Sequence, residues 1–240
     1  MTHTNIPSMR ILGIFAHPDD SEFMVGGTAA RWADEGAEIV YCIVTDGAAG
    51  SNDPHQDLAE LVRIRKAEQR AAAAVLGVRE VLFLDYPDGT LQPTIELRRE
   101  LTRIIRQLKP DRVVCGDPTA VFYGDNYINH PDHRAAAEAA LYAVFPSAVT
   151  RPIFPELLAE GYEPHQVKEV YISGAAQPNT YIDISATLER KIEALRCHKS
   201  QLDPGDGAWV REWAAETGKA AGLEYAEAFL VMRLIDQDRS

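Results

Sequence analysis

Two short apolar runs near the start of the chain constrain the fold more than any other feature. Arg10–Ala16 (RILGIFA) and Glu38–Thr45 (EIVYCIVT) are aliphatic throughout, with little polar alternation. Such runs suit strands of a parallel sheet covered on both faces. Between them, Phe23–Glu35 has helical spacing and Gly36 provides its stop. The unit then recurs. Asp57–Leu76 is a long Arg/Ala/Glu-rich helix ending at Gly77, and Glu80–Leu84 is a third strand. Thr94–Leu108 is a helix entered after Pro93 and stopped before Pro110, and Arg112–Cys115 is a fourth strand. An alanine-rich helix follows at His133–Phe145, then strands at Glu169–Ser173 and Tyr181–Ile184. Ser185–Cys197 reads as a helix with Ser185 as its N-cap.

Strand–helix–strand units of roughly 30 residues imply parallel pairing through right-handed crossovers. The expected fold is α/β, a Rossmann-like three-layer sandwich with a mostly parallel sheet, in one domain over residues 1–240. Residues 145–165 carry Pro146, Pro152, Pro155 and Pro164 and read as a surface excursion. Residues 205–240 read as a C-terminal segment packing a last helix on the domain or a partner. Trp209 and Trp213, four apart on that helix, read as packing residues.

Composition narrows the function. The net charge of −12 excludes a nucleic-acid binder that relies on Lys/Arg and argues against an anionic lipid surface. Cys42, Cys115 and Cys197 are far apart and form no CxxC, so neither a disulfide framework nor a zinc–thiolate site is expected. The segment Met1–Met9 has no apolar signal core, and no run approaches the ~18 apolar residues of a spanning helix. The expected location is cytoplasmic, with no membrane partner.

In doubly wound sheets, ligands sit beyond the carboxyl ends of the strands. Four polar loops fall there: His17–Asp20, Thr45–Ser51, Asp85–Gly89 and Asp117–His133. None carries the GxGxxG of a dinucleotide site. His17-Pro-Asp19-Asp20 ends a strand and opens a helix, and His130-Pro-Asp132-His133 opens another. His17 and Asp20 are three apart and can turn to a common point, as can His130 and His133. Either cluster alone is equally well read as a helix cap or as surface histidines. Both on one rim favour a cation held by imidazole and carboxylate, with zinc the best fit. His17, Asp20 and His133 are the candidate ligands. That leaves Asp19 as a candidate base and His130 as a candidate acid for metal-assisted hydrolysis.

At this point the sequence resembles the LmbE/PIG-L family of zinc-dependent N-deacetylases. The likeness rests on Ala16-His-Pro-Asp-Asp20 followed by Gly26-Gly27, and on His130-Pro-Asp-His133. It extends to Thr45–Gly50, Arg65–Glu68, Pro87–Gly89 and His198–Gln201. The resemblance implies removal of an N-acetyl group from an N-acetylglucosamine-type conjugate, with one Zn2+ per chain. It implies that His17, Asp20 and His133 hold zinc, that Asp19 is the base, and that His130 steadies the oxyanion and serves as the acid. It further implies that Asp132 orients His130, and that Arg65 and Asp88 contact the sugar. The family's oxyanion tyrosine corresponds to Tyr127 or the nearby Tyr123. A small-molecule substrate and a homo-oligomer are implied. Two alternatives stand beside this reading: an amidase acting on a larger acyl or thiol conjugate, and a non-catalytic metal- or sugar-binding module. Thr45–Ser51 reads as a turn walling the site rather than a phosphate cradle.

Overall fold

The computed structural model describes residues 8–205 and 207–234. Expectations for the first seven residues and for 235–240 lie outside the described residues. The strands are β1 (Arg10–Phe15), β2 (Glu38–Thr45), β3 (Glu80–Tyr86), β4 (Arg112–Gly116), β5 (Phe122–Tyr123), β6 (Tyr127–Ile128), β7 (Glu169–Ser173), β8 (Thr180–Asp183) and β9 (Ala226–Arg233). The helices are α1 (Asp20–Asp34), α2 (Leu58–Leu76), α3 (Ile95–Leu108), α4 (Pro131–Tyr142), α5 (Glu156–Ala159), α6 (Leu188–Leu195) and α7 (Ala208–Lys219).

Seven strands form one sheet in the order β3-β2-β1-β4-β7-β9-β8, and β5 and β6 form a separate hairpin. Pairing is parallel from β3 to β7 and antiparallel at β9. The period of two sorts side chains to the two faces. Leu12, Ile14, Val40, Cys42 and Val44 pack with Leu97, Leu101 and Ala136 of α3 and α4. Ile11, Phe15, Ile39, Tyr41 and Ile43 pack with Val25, Ala29, Ala72 and Leu76 of α1 and α2. This is the expected mostly parallel three-layer sandwich. β1 pairs with both β2 and β4, so the chain reverses its direction of winding there. Such a switch point opens a crevice at the carboxyl ends of the two central strands.

Local chemistry sets the helix ends. The Asp57 carboxylate accepts from the amides of Ala59 and Glu60 to start α2, and Gly77 closes it at φ 80. Thr94 accepts from the Leu97 amide to start α3. Helix α1 begins earlier than its apolar spacing predicts, because Asp20 already lies in its first turn. There the carboxylate faces the positive end of the helix dipole. Ser185 is not an N-cap: its amide and hydroxyl both donate to Asp183 Oδ1, and α6 starts at Leu188.

Residues 145–165 are tied to α3 by buried contacts. Arg106, fully buried in α3, donates to the carbonyls of Ser147, Ala148, Thr150 and Ile153, and Leu157 is fully buried. The C-terminal segment contributes a strand, β9, as well as the expected helix. Glu227 conceals it in the sequence. This buried carboxylate accepts from the amides of Gly27 and Thr28 and pairs with Lys191 Nζ at 2.6 Å. A charge at a core position breaks the pattern by which strands are read. Among the described residues, no helix is long and apolar enough to cross a membrane.

Candidate metal centre and catalytic cleft

A cleft of about 970 Å³ opens at the switch point. All four loops reach it: His17 after β1, Gly50 after β2, Asp88 after β3 and His130 after β4. Its floor holds a compact donor set. His17 Nδ1 lies 3.2 Å from His133 Nε2, and His133 Nε2 lies 3.0 Å from Asp20 Oδ1. Asp20 Oδ2 lies 3.5 Å from His17 Nδ1. A tetrahedral ion with bonds of ~2.0–2.1 Å sets neighbouring donors about 3.3 Å apart. The spacing therefore fits a tetrahedral ion such as zinc, which these two imidazoles and one carboxylate would hold.

The outer nitrogens of both histidines are committed elsewhere. His133 Nδ1 bonds Asn129 Oδ1 at 2.9 Å, which leaves Nε2 as the lone-pair donor. His17 Nε2 faces Asp88 Oδ1 at 3.1 Å and Asp132 Oδ2 at 3.4 Å. Carboxylates behind a ligating imidazole fix its tautomer and raise its basicity. Burial alone would lower the His17 pKa, but hydrogen bonds to Asp132, Asp20 and Asp88 outweigh it and hold the ring up to about 12. The carboxylates thus favour positive charge at this position, which a divalent ion supplies. Burial would raise Asp20, but His133 and His17 hold it well below the ordinary carboxylate range.

His17, Asp88, His130 and Asp132 also lie close enough to share an ion. Their carboxylates are already engaged, however. Asp132 accepts from the amides of Gly89 and Leu91, and Asp88 from that of Ala49. This second group reads as the support of the first.

Asp19 sits at the mouth of α1 in a left-handed conformation, φ 101, which non-glycine residues rarely adopt. Burial, and then the Asp20 charge, push its carboxyl up to about 7. Arg65 is no surface charge. It is buried on α2 and donates to the carbonyls of Gly47 and Pro18 and to Asp19 Oδ2 at 3.3 Å. Its Nη1 also lies 3.8 Å from Asp88 Oδ2. The glycines of Thr45–Ser51 make room for this guanidinium. A Cβ at Gly50 would stand 2.5 Å from Arg65 Nη1, and one at Gly47 3.0 Å.

Two expectations need correction. The Asp132 carboxylate does not hold His130; the Asp132 amide donates to His130 Nδ1 at 3.2 Å instead. With Nδ1 accepting, the proton of the neutral ring lies on Nε2. Burial, and then the His17 charge, likewise push the His130 pKa down. Trp209 and Trp213 are exposed on the cleft wall rather than packed inside, whereas none of residues 145–165 lines the cleft. Tyr127 and Tyr123 both line the cleft from the β5–β6 hairpin, with ring centroids 6.2 Å apart.

Sequence reasoning missed Asn129 and Gln69. Asn129 directly precedes the second motif, and Gln69 lies one turn after Arg65 on the same helix face. His198, which the family likeness includes, pairs in the interior with Glu22 at 3.1 Å. The three cysteines are free, with Cys42 and Cys115 buried.

A Rossmann-like sheet with a His/Asp group that could hold a metal ion at its switch point defines an α/β protein with a candidate metal centre. Comparison with known proteins carries this further. Residues 12–144 match the PIG-L family, described as GlcNAc-PI de-N-acetylase. The chain is 34% identical over 223 residues to a diacetylchitobiose deacetylase of Thermococcus kodakarensis, covering 91% of this chain and 81% of that one. It is 31% identical to a 1D-myo-inositol 2-acetamido-2-deoxy-alpha-D-glucopyranoside deacetylase of Actinosynnema mirum, covering 92% and 90%. The crystal structure of N,N'-diacetylchitobiose deacetylase from Pyrococcus horikoshii superposes with a TM-score of 0.86 at 31% identity, covering 95% of this chain and 85% of that one. The chain belongs to the PIG-L family and is an N-deacetylase, a hydrolase of amide bonds.

Proposed function

We propose that the protein removes the N-acetyl group from an N-acetylglucosamine-type sugar conjugate, using a divalent ion held by His17, Asp20 and His133. The observation that carries this is the convergence of those three donors beside Asp19 in a cleft with room for a sugar. Relatives named as deacetylases of acetamido sugars support the substrate class.

Bound there, zinc supplies Lewis acidity, making water a better nucleophile and polarising the amide carbonyl. Asp19 accepts the proton of the attacking water at its carboxylate. A C–O bond forms and the carbonyl becomes a tetrahedral oxyanion. His130 serves this oxyanion as a neutral donor through Nε2–H, since Nδ1 is engaged by the Asp132 amide. Asp19 then passes its proton to the amide nitrogen, the C–N bond breaks, and acetate and free amine leave. Arg65 holds Asp19 and, with Asp88, presents polar groups to the sugar hydroxyls. Tyr127 borders the same space. A homo-oligomer is the assembly we infer from the family resemblance.

Release of free amine from a panel of N-acetylglucosamine derivatives tests the reading. Zinc-loaded protein should release amine, and a chelator should stop it. No release from any member by protein that binds zinc would move the assignment to an amidase of larger acyl conjugates.

A further inference from the structure

Besides the catalytic groups, the cleft is lined by Phe23 of α1 and by residues of α6, α7 and β9, and the mechanism does not use these. Phe23 stands three residues after Asp20 on α1, so the two share a helix face. Trp209 packs on Phe23 with centroids 5.8 Å apart. Trp213 follows one turn later, with Lys191 Nζ 5.3 Å from its ring centroid. Lys191 is itself fixed, donating to the Phe23 carbonyl and to Glu227. Both indoles are therefore held from behind, yet 41% of Trp209 and 50% of Trp213 is exposed. Large aromatics left open on a cleft wall mark a recognition surface. Because they are held in place, little ordering is needed when a ligand arrives.

The charge of this wall limits what it takes. Lys191 is the cation lining it, and it is paired in the interior with Glu227. Glu227 apart, the other described residues lining it are uncharged, among them Met24, Ser173, Gly174, Val210, Ala214 and Thr217. A carboxylate or phosphate would lose its water without gaining an unpaired cation. A neutral pyranose has apolar C–H faces for an indole and hydroxyls for the hydroxyl groups at the edge.

We propose that Trp209 and Trp213 form the subsite for the group attached to the acetamido sugar, and that this group is a neutral sugar ring stacked on the indoles. This rests on the deacetylase reading above. The two tryptophans then determine substrate choice, and α7 is the specificity element of the fold.

The test compares kcat/KM for N-acetylglucosamine, for N-acetylglucosamine linked to a neutral pyranose, and for the same sugar linked to a dicarboxylate. The wild type should prefer the neutral disaccharide to the monosaccharide by about tenfold or more, consistent with one aromatic stacking contact. Trp209→Ala and Trp213→Ala should collapse that ratio, and Trp213→Phe should keep part of it. An unchanged ratio in both alanine variants, or preference for the dicarboxylate conjugate, would overturn the proposal. A binding readout separates this from the deacetylase reading. The already deacetylated disaccharide should quench the fluorescence of the exposed tryptophans, and Trp209→Ala with Trp213→Ala should abolish the quench. Quenching without any amine release would overturn the deacetylase reading and retain the subsite. Amine release without quenching or disaccharide preference would do the reverse.

Discussion

Gln69 Oε1 accepts the Asp19 amide at 2.8 Å, and this bond holds the proposed base in its left-handed conformation. A non-glycine residue at φ 101 costs of order 1–3 kcal/mol and persists only where its surroundings impose it. Gln69 is imposed in turn. Its Nε2 donates to Ser21 Oγ at 3.1 Å and to Glu22 Oε1 at 3.0 Å, and Glu22 Oε2 faces His198. Gln69 is thus a positioning residue that acts through Asp19. Gln69→Leu should lower kcat 10- to 100-fold while zinc remains bound after dialysis. It should also cost about 1–3 kcal/mol, because the buried Glu22 loses one of its donors and keeps only Ser21 Oγ and His198. A kcat within twofold of wild type would remove Gln69 from this role.

The sequence revealed most where one physical rule dominated. Parallel strands covered on both faces read as unbroken apolar runs, so β1, β2 and β4 were legible, whereas the switch point at β1 rests on the strand order. Helix ends at Asp57, Gly77 and Thr94 followed from capping chemistry. The two histidine motifs were legible because their spacing is local. The support behind them was not, since Asn129, Gln69 and the Asp88–His17 pairing depend on contacts between elements distant in sequence. β9 escaped because Glu227 is buried for its pairing with Lys191. Trp209 and Trp213 escaped because helical spacing alone does not distinguish a core face from the wall of a cleft.

The Asn129–His133 bond gives a prediction about the metal centre. His133 can offer Nε2 as a ligand only while Nδ1 carries the proton, and Asn129 Oδ1 accepts from it. Asn129→Leu should weaken zinc affinity 10- to 100-fold, as seen when the support of a ligating histidine is removed. Asn129→Asp, which keeps the acceptor, should restore much of it. His133→Ala should lose the ion outright. Competition titration with a zinc-binding dye measures all three. Full zinc occupancy in His133→Ala after dialysis would exclude His133 as a ligand.

Asp19 and Asp20 are adjacent but predict opposite phenotypes. Asp20 lies among the donor atoms, whereas Asp19 is held apart by Arg65 and Gln69. Asp19→Asn should retain zinc and lose about 10²- to 10⁴-fold in kcat, the usual contribution of a general base. Asp20→Asn should lose zinc first. Metal content and turnover measured on the same preparations decide it. Loss of zinc in Asp19→Asn would place Asp19 in the ligand set.

Arg106 predicts a stability effect separate from catalysis. Its guanidinium is fully buried and satisfies four carbonyls of the 147–153 segment, none of which borders the cleft. Arg106→Met fills similar volume but removes a donor from each of those carbonyls; Ala148 and Thr150 keep the amides of His165 and Ile153, whereas the buried guanidinium's bonds to Ser147 and Ile153 are lost. A destabilisation of about 3 kcal/mol is expected. The folded fraction should keep wild-type kcat/KM. Denaturant unfolding and turnover of the same sample test this, and a large fall in kcat/KM without loss of stability would contradict it.

Asp111 predicts how stability responds to acid at the opposite end of the sheet. Its carboxylate accepts from the Arg10 amide at 2.9 Å and from Lys168 Nζ at 2.8 Å, tying β1 to the segment before β7. Burial would raise its pKa, but these two partners outweigh burial and hold it below its ordinary value of 3.8. A carboxylate depressed in the folded state stabilises at pH above its unfolded pKa. That contribution is lost as pH falls through the folded pKa. Asp111→Asn should therefore cost about 1 kcal/mol at pH 7, a modest figure because Lys168 is largely exposed to solvent. The difference from wild type should shrink steadily below pH 4 as the wild-type carboxylate is protonated. Urea unfolding at several pH values measures it. A difference that stays constant or grows towards low pH would mean that Asp111 acts through shape rather than charge.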